Sequence, residues 1–218
     1  MPSHALALHT SSSQLGLAVC EVAMTSPSLT ISETTGRQQT WELGRRLLND
    51  LHGILQDWIQ PLTWRDFAYL AVAQGPGSFT STRIGMVTAR TLGQQLDLPV
   101  FTVSSLAAFA HYSFAIHSLN SPTTAITVEL AASRGQVYGG LYQVQSAQLV
   151  ALQPDALYEA DDWLACLNQQ PGEILRCTAP EPLGDTVGSV LALAHQAWQQ
   201  GERPDWSTAV PFYGNEKI

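Results

Sequence analysis

One stretch constrains the fold more than any other: Ala71-Val-Ala-Gln-Gly-Pro-Gly-Ser-Phe-Thr80 and its continuation to Gly93, an apolar strand that runs through a glycine turn into a helix. A short apolar run before such a turn is a buried strand, and strands followed directly by helices build sheets covered by helices. The glycines resemble a phosphate loop without its working parts. A Walker loop needs Lys after its last Gly to reach the outer phosphates, and the only lysine in the chain is Lys217. The dinucleotide fingerprint needs a third glycine where Thr80 stands, and Pro76 removes one backbone N–H that would point at a pyrophosphate. The loop therefore reads as architecture first, with Ser78 and Thr80 expected to cap the helix that follows.

That helix carries a second pattern. Ser81, Gly85, Ala89 and Gly93 recur every four residues and form a stripe of small side chains bordered by Met86 and Arg90. Interior glycines cost a helix ~1 kcal/mol apiece, so the stripe predicts close packing against a second backbone. Ile84, Val87 and Leu92 lie on a different side and are expected to supply the contact with the chain's own sheet, which leaves the stripe for a partner. Arg83, one turn into the helix, is expected either to bond the loop carbonyls or to reach a phosphate.

Around this unit, Ala5–Thr10, Leu15–Val22 and Leu29–Thr34 read as three strands of a meander. Leu43, Leu47, Leu51, Ile54, Leu55 and Trp58 recur at helical spacing from about Gln38 to Ile59, where Pro61 stops the pattern. A strand at Val100–Val103 and a helix at Ser104–Ile116, capped by Ser104, close the first half. After Asn120-Ser-Pro122, the candidate hinge, the order recurs: strands at Ala125–Leu130, Gln136–Val144 and Gln148–Leu152, a helix near Ala160–Leu167, a strand at Glu173–Cys177 and a helix at Thr186–Gln200. The expected plan is α/β with two lobes, residues 1–120 and a smaller acidic lobe of residues 121–218, each a mixed sheet with helices.

Charge bears on partners. Of the net charge of −8, residues 1–110 carry a single unit and the remainder carries seven, so the second half repels a phosphate backbone. No run approaches the ~20 apolar residues of a membrane span, and the start lacks a signal peptide's basic flank, so a cytoplasmic location is expected. Cys20, Cys166 and Cys177 fit no metal-ligand spacing and read as buried free thiols. His111 and His117 are six apart, about 240° round a helix from each other, and do not converge on one ion. Ser78 sits in no nucleophile elbow.

Gly75-Pro-Gly-Ser-Phe-Thr80, Arg83-Ile-Gly85, Val103-Ser-Ser-Leu106 and the opening Leu6-Ala-Leu-His-Thr-Ser-Ser12 resemble the signature of the bacterial TsaB (YeaZ) family over about the first half of the chain. The resemblance implies the two-lobed actin-like, Hsp70-like ATPase fold (ASKHA, ribonuclease H-like). It also implies a non-catalytic subunit that pairs with and activates a TsaD-like transferase in the threonylcarbamoylation of tRNA adenosine 37. A TsaE-like ATPase would join the pair, the chain alone would be a homodimer, and tRNA would be touched only indirectly. Pairing through the first two helices would place Leu43, Leu47, Ser81, Gly85, Met86, Ala89, Arg90 and Gly93 at the interface. No metal and no cofactor of its own are implied, only a nucleotide (ATP or ADP) at the partner junction, near Thr10, Ser11, Gly75, Gly77, Ser78, Thr80 and Arg83.

The chain departs from the family pattern twice. His9 stands where the family usually has a first-strand aspartate, and an imidazole lacks the hard anionic oxygen that Mg²⁺ prefers. Ala131-Ala-Ser-Arg-Gly135 stands where the family often has Asp-Ala-Arg before a glycine. Both departures weigh against the alternative of a free-standing nucleotide-dependent phosphotransferase or hydrolase. A homodimeric protein-binding module with no tRNA link is a second alternative, disfavoured only by the resemblance.

Overall fold

Strand β1 (His4–His9) sorts its side chains by size: Leu6 and Leu8 point to one face, Ala5 and Ala7 to the other, and all four are fully buried. A strand buried on both faces must be central, and β1 is flanked by β2 (Gln14–Glu21), antiparallel, and β4 (Phe67–Ala73), parallel. Adding β3 (Arg37–Glu42) and β5 (Val100–Val103) gives the five-stranded order β3-β2-β1-β4-β5. The computed structural model describes residues 3–22, 36–116, 125–146, 148–170, 172 and 174–214. The expected strand Leu29–Thr34, the hinge Asn120-Ser-Pro122, His117 and Lys217 lie outside the described residues.

The third strand falls where the sequence suggested the start of a helix. Arg37–Glu42 pairs with β2 from Gln14↔Glu42 to Val19↔Arg37, and helix α1 is confined to Leu47–Trp58. An exposed edge strand made of Arg-Gln-Gln-Thr-Trp-Glu needs only backbone pairing and carries no apolar alternation, so the helical period beyond it ran over it. Trp41 meets Trp58 edge to face at 6.0 Å, which seats α1 beside this edge.

The second sheet repeats the plan in the order β8-β7-β6-β9, from β6 (Ala125–Ala131), β7 (Gln136–Gln145), β8 (Gln148–Glu159) and β9 (Ile174–Thr178), with β6 and β9 parallel. Two mixed sheets with helices form the actin-like two-lobed α/β fold. The lobes are not, however, two contiguous pieces of chain. Helix α3 (Ser105–Ile116) precedes residue 120 yet packs Leu106, Ala110 and Phe114 against Ile126, Val128 and Leu130 of the second sheet. Helix α5 (Val187–Gln199) packs Val187, Val190, Leu191 and Ala194 on the alanine face of the first sheet. The lobes thus exchange helices, and α3 and α5 meet through His111 Nδ1 and Ser189 Oγ at 2.9 Å. Helix α4 (Ala160–Asn168) buries Trp163 on β7, where a Cβ on Gly139 would lie 2.6 Å from the indole. Among the described residues no helix is long and apolar enough to cross a membrane.

Candidate functional site

The leucine face of the first sheet is covered by α1 and α2 (Phe79–Leu96), and the turn after β1 meets the glycine loop beneath them. Ser78 N donates to Ser11 O at 2.7 Å, and a Cβ on Gly77 would lie 2.0 Å from that same oxygen. A Cβ on Gly85 would lie 2.1 Å from Thr10 Oγ1, so the Thr10 hydroxyl points into the backbone of α2. Gly75 has φ of 98°, a conformation natural only to glycine. On its other side the turn is tied down by Ser12 Oγ, which accepts from Leu183 N at 3.0 Å.

The residues expected near a nucleotide therefore divide into two groups. Ser11, Gly75, Gly77 and Ser78 pack together and Thr10 packs on Gly85, with Thr10 and Ser11 wholly buried and their hydroxyls without a hydrogen-bond partner among the described residues. That packing leaves no phosphate cradle, because the backbone of Ser11 fills the space beside Gly77. Thr80 and Arg83 stand apart, exposed on the outer side of α2. The capping differs from expectation too. Ser78 is the N-cap but makes no side-chain cap bond, its hydroxyl donating to Ser81 Oγ at 3.1 Å, and Thr80 lies inside the first turn. Among the described residues Arg83 bonds neither loop carbonyls nor an acid; it lies over Phe79 at 3.8 Å and donates to Tyr213 Oη at 3.2 Å.

The small-residue stripe faces inward, which overturns its assignment to a partner. Gly85 sits on Thr10, and a Cβ on Gly93 would be 2.5 Å from Val100 Cγ2 and 2.9 Å from Trp206 Cβ. Ala89 and Met86 are buried in the leucine-face core, as are Leu43 and Leu47. Ser81 is half-buried against Ser78, and half-buried Arg90 donates to Ala209 O at 3.2 Å. The second backbone that the glycines admit is the chain's own sheet and its C-terminal segment.

Two residues further on, about 200° round the helix, the opposite face is exposed. Phe79 (59%) and Val87 (62%) lie there, and Leu48 (62%) stands beside them on α1. With Ile84, Leu92 and His52 they line a cavity of about 430 Å³ between the two helices. The sequence held the signal: a stripe at 81, 85, 89 and 93 that faces the sheet puts 79, 83, 87 and 91 outside, and two of those four are large and apolar. Large apolar side chains thus stand in solvent beside a cavity.

The buried histidines His9, His111 and His195 sit off this surface. His9 is fully buried, held to about 3 by loss of solvation, and lies 3.4 Å from the Ser11 N–H through Nδ1. His111 is held to about 4 for the same reason. Glu129 accepts from Trp163 Nε1 at 2.9 Å and from Arg176 at 3.2 Å, a packing role, while Arg134 is exposed in a turn with φ of 60°. Among the described residues no three His, Cys, Asp or Glu side chains are placed to hold a metal ion. Cys20 is buried, as expected of all three thiols, but Cys166 and Cys177 are only half-buried, and all are free.

Fold and site together define a two-lobed actin-like α/β protein with a close-packed glycine loop and an exposed apolar helix pair. Residues 48–202 match the family model described as "TsaD: tRNA N6-adenosine threonylcarbamoyltransferase". The chain is 33% identical over 177 residues to the "tRNA threonylcarbamoyladenosine biosynthesis protein TsaB" of Bacillus subtilis (strain 168), covering 79% of this chain and 72% of that one. It is 26% identical to the TsaB protein of Escherichia coli (strain K12), covering 68% of this chain and 71% of the relative. Its fold matches "YeaZ from Pseudomonas aeruginosa" with a TM-score of 0.72 at 21% identity, over 97% of this chain and 99% of that one. The chain belongs to the TsaB (YeaZ) family.

Proposed function

We propose that this chain serves tRNA threonylcarbamoylation as a companion subunit, pairing with and activating a TsaD-like transferase without chemistry of its own. The observation that carries the reading is the outward face of α1 and α2, where Leu48, Phe79 and Val87 stand in solvent around a cavity while the glycine loop beneath is packed solid. An apolar surface built on two rigid helices suits a stable protein partner. The packed loop suits a chain that binds no phosphate there, which disfavours a free-standing phosphotransferase. The names of the relatives support the process, since each is called a threonylcarbamoyladenosine biosynthesis protein. A TsaE-like ATPase joins the pair in the larger complex, and tRNA is held elsewhere, as the net charge of −8 favours. Of the seven residues first considered for a nucleotide at the subunit junction, only Thr80 and Arg83 are exposed, the other five being packed into the turn and loop beneath α2.

The test is pairing of the purified chain with the TsaD-like protein of its own host, followed by isothermal titration. Val87→Arg places a charge in the middle of the apolar face and is expected to weaken pairing by about 30-fold or more. Wild-type pairing from Val87→Arg would place the interface elsewhere. In the absence of the partner the same face brings two copies together, and Val87→Arg then yields a monomer in analytical ultracentrifugation.

A further inference from the structure

Beside the apolar cavity lies a second one of about 360 Å³, between α2 and the C-terminal segment, with Arg83, Arg90, Gln94, Trp206, Pro211 and Tyr213 in its walls. Arg83 and Arg90 are seven residues apart, two turns on one face of α2, which spaces their Cα atoms about 10 Å along the groove. Neither has an acidic partner among the described residues, where the ion pairs are Arg46–Asp50 and Arg176–Glu129. Both are nevertheless oriented. Arg83 lies over Phe79 at 3.8 Å and near Tyr213 at 5.2 Å, donating to Tyr213 Oη, and Arg90 is anchored through Nη1 to Ala209 O. A guanidinium offers five N–H donors, so each keeps most of its fork for another acceptor. In a chain of net charge −8, two pre-oriented guanidinium groups with no counter-ion among the described residues are a local positive site.

We infer that this groove is a carboxylate-binding site that takes an acidic segment of the protein partner, its carboxylates meeting Arg83 and Arg90. The inference rests on the reading of the α1–α2 face as the partner surface, and it adds the chemistry by which that surface selects. Continuity argues for a protein: Arg83, Val87 and Thr91 line both cavities, so whatever covers Leu48 and Val87 borders the arginines. Charge argues against a polyanion, because the chain's remaining excess of acids opposes a long phosphate backbone while two isolated carboxylates meet only the local site. Planar forks held by aromatic stacking at Arg83 and by a carbonyl at Arg90 suit bidentate carboxylate recognition at low cost in side-chain ordering.

The test titrates the host's TsaD-like protein into wild type, Arg83→Gln, Arg90→Gln and the double variant at low and moderate salt. Each single variant is expected to lose about tenfold in affinity at low salt, and the double variant to lose most of the salt dependence. A free polyglutamate peptide added to the wild-type pair is expected to weaken it, a measurement that needs no folded variant. A double variant that binds within twofold of wild type with an unchanged salt slope overturns the inference while leaving the pairing intact. A wild-type chain that does not bind the TsaD-like protein overturns both. Binding of isolated tRNA that vanishes in the double variant overturns the carboxylate assignment in favour of RNA phosphate.

Discussion

Gly85 decides how closely α2 approaches β1. Its hydrogen takes the place of a Cβ that would stand 2.1 Å from Thr10 Oγ1, and Thr10 has no room to retreat because it is itself fully buried. Gly85→Ala is therefore expected to cost ~1–3 kcal/mol through overpacking, a fall in melting temperature of about 2–4 °C per kcal/mol, measured by differential scanning calorimetry. An unchanged melting temperature would show that α2 slides outward at little cost. His9 and His111 set the pH dependence at the same scale. Burial holds them to about 3 and about 4, below the ordinary 6.5, so the unfolded chain takes up protons there that the folded chain does not. Their neutral burial is free of proton linkage above about pH 6.5, and stability falls as pH drops below that, by ~1.4 kcal/mol per pH unit for each histidine until its folded value is reached. Urea denaturation at pH 7.5, 5.5 and 4.5 checks this, and His111→Gln is expected to remove about half of the slope.

Helix α2 shows how much of an element its sequence exposes and where the reading stops. Its start after the glycine turn and its stripe at Ser81, Gly85, Ala89 and Gly93 were legible, because spacing and turn chemistry are local. The direction of the stripe was not, since glycines signal only that something packs close, and here that is Thr10 in the turn after β1, Val100 of β5, the Leu98 carbonyl and Trp206. Ile84 and Leu92 do pack inward, against α1, but Val87 stands in solvent. The edge strand Arg37–Glu42 was hidden for the opposite reason: its pairing is all backbone, and its side chains are polar and largely exposed. Leu48→Glu is the corresponding test on α1. An exposed position tolerates the charge within about 0.5 kcal/mol, so the melting temperature should hold while pairing with the TsaD-like protein is lost. Loss of folding instead would mean that α1 packs more tightly than an exposed Leu48 allows.

At the scale of the whole molecule the helix exchange governs behaviour. The alanine face of the first sheet, with Tyr69 stacked on Trp198 at 4.8 Å and bonded to His195 at 3.1 Å, is covered by a helix that arrives only after residue 186. Helix α3 is held to the second sheet at its start by Asp155, whose half-buried carboxylate accepts from Ser104 Oγ and from the Tyr142 hydroxyl. A fragment of residues 1–120 accordingly leaves two apolar faces bare and is expected to remain unfolded or aggregate, as judged by circular dichroism and light scattering; a soluble, cooperatively melting fragment would contradict this. The order of elements was readable along the chain, but the crossing of α3 and α5 is a relation between distant segments that no local period encodes. We propose that a chain with a filled glycine loop and an open apolar helix pair acts by holding its partner. The most direct test is a reconstituted threonylcarbamoylation assay with the TsaD-like protein and the other pathway components, run with this chain, without it and with Val87→Arg. Product is expected only with the wild-type chain present, with none from the chain when the TsaD-like protein is omitted; full activity without the chain, or product made in the absence of the TsaD-like protein, would contradict it.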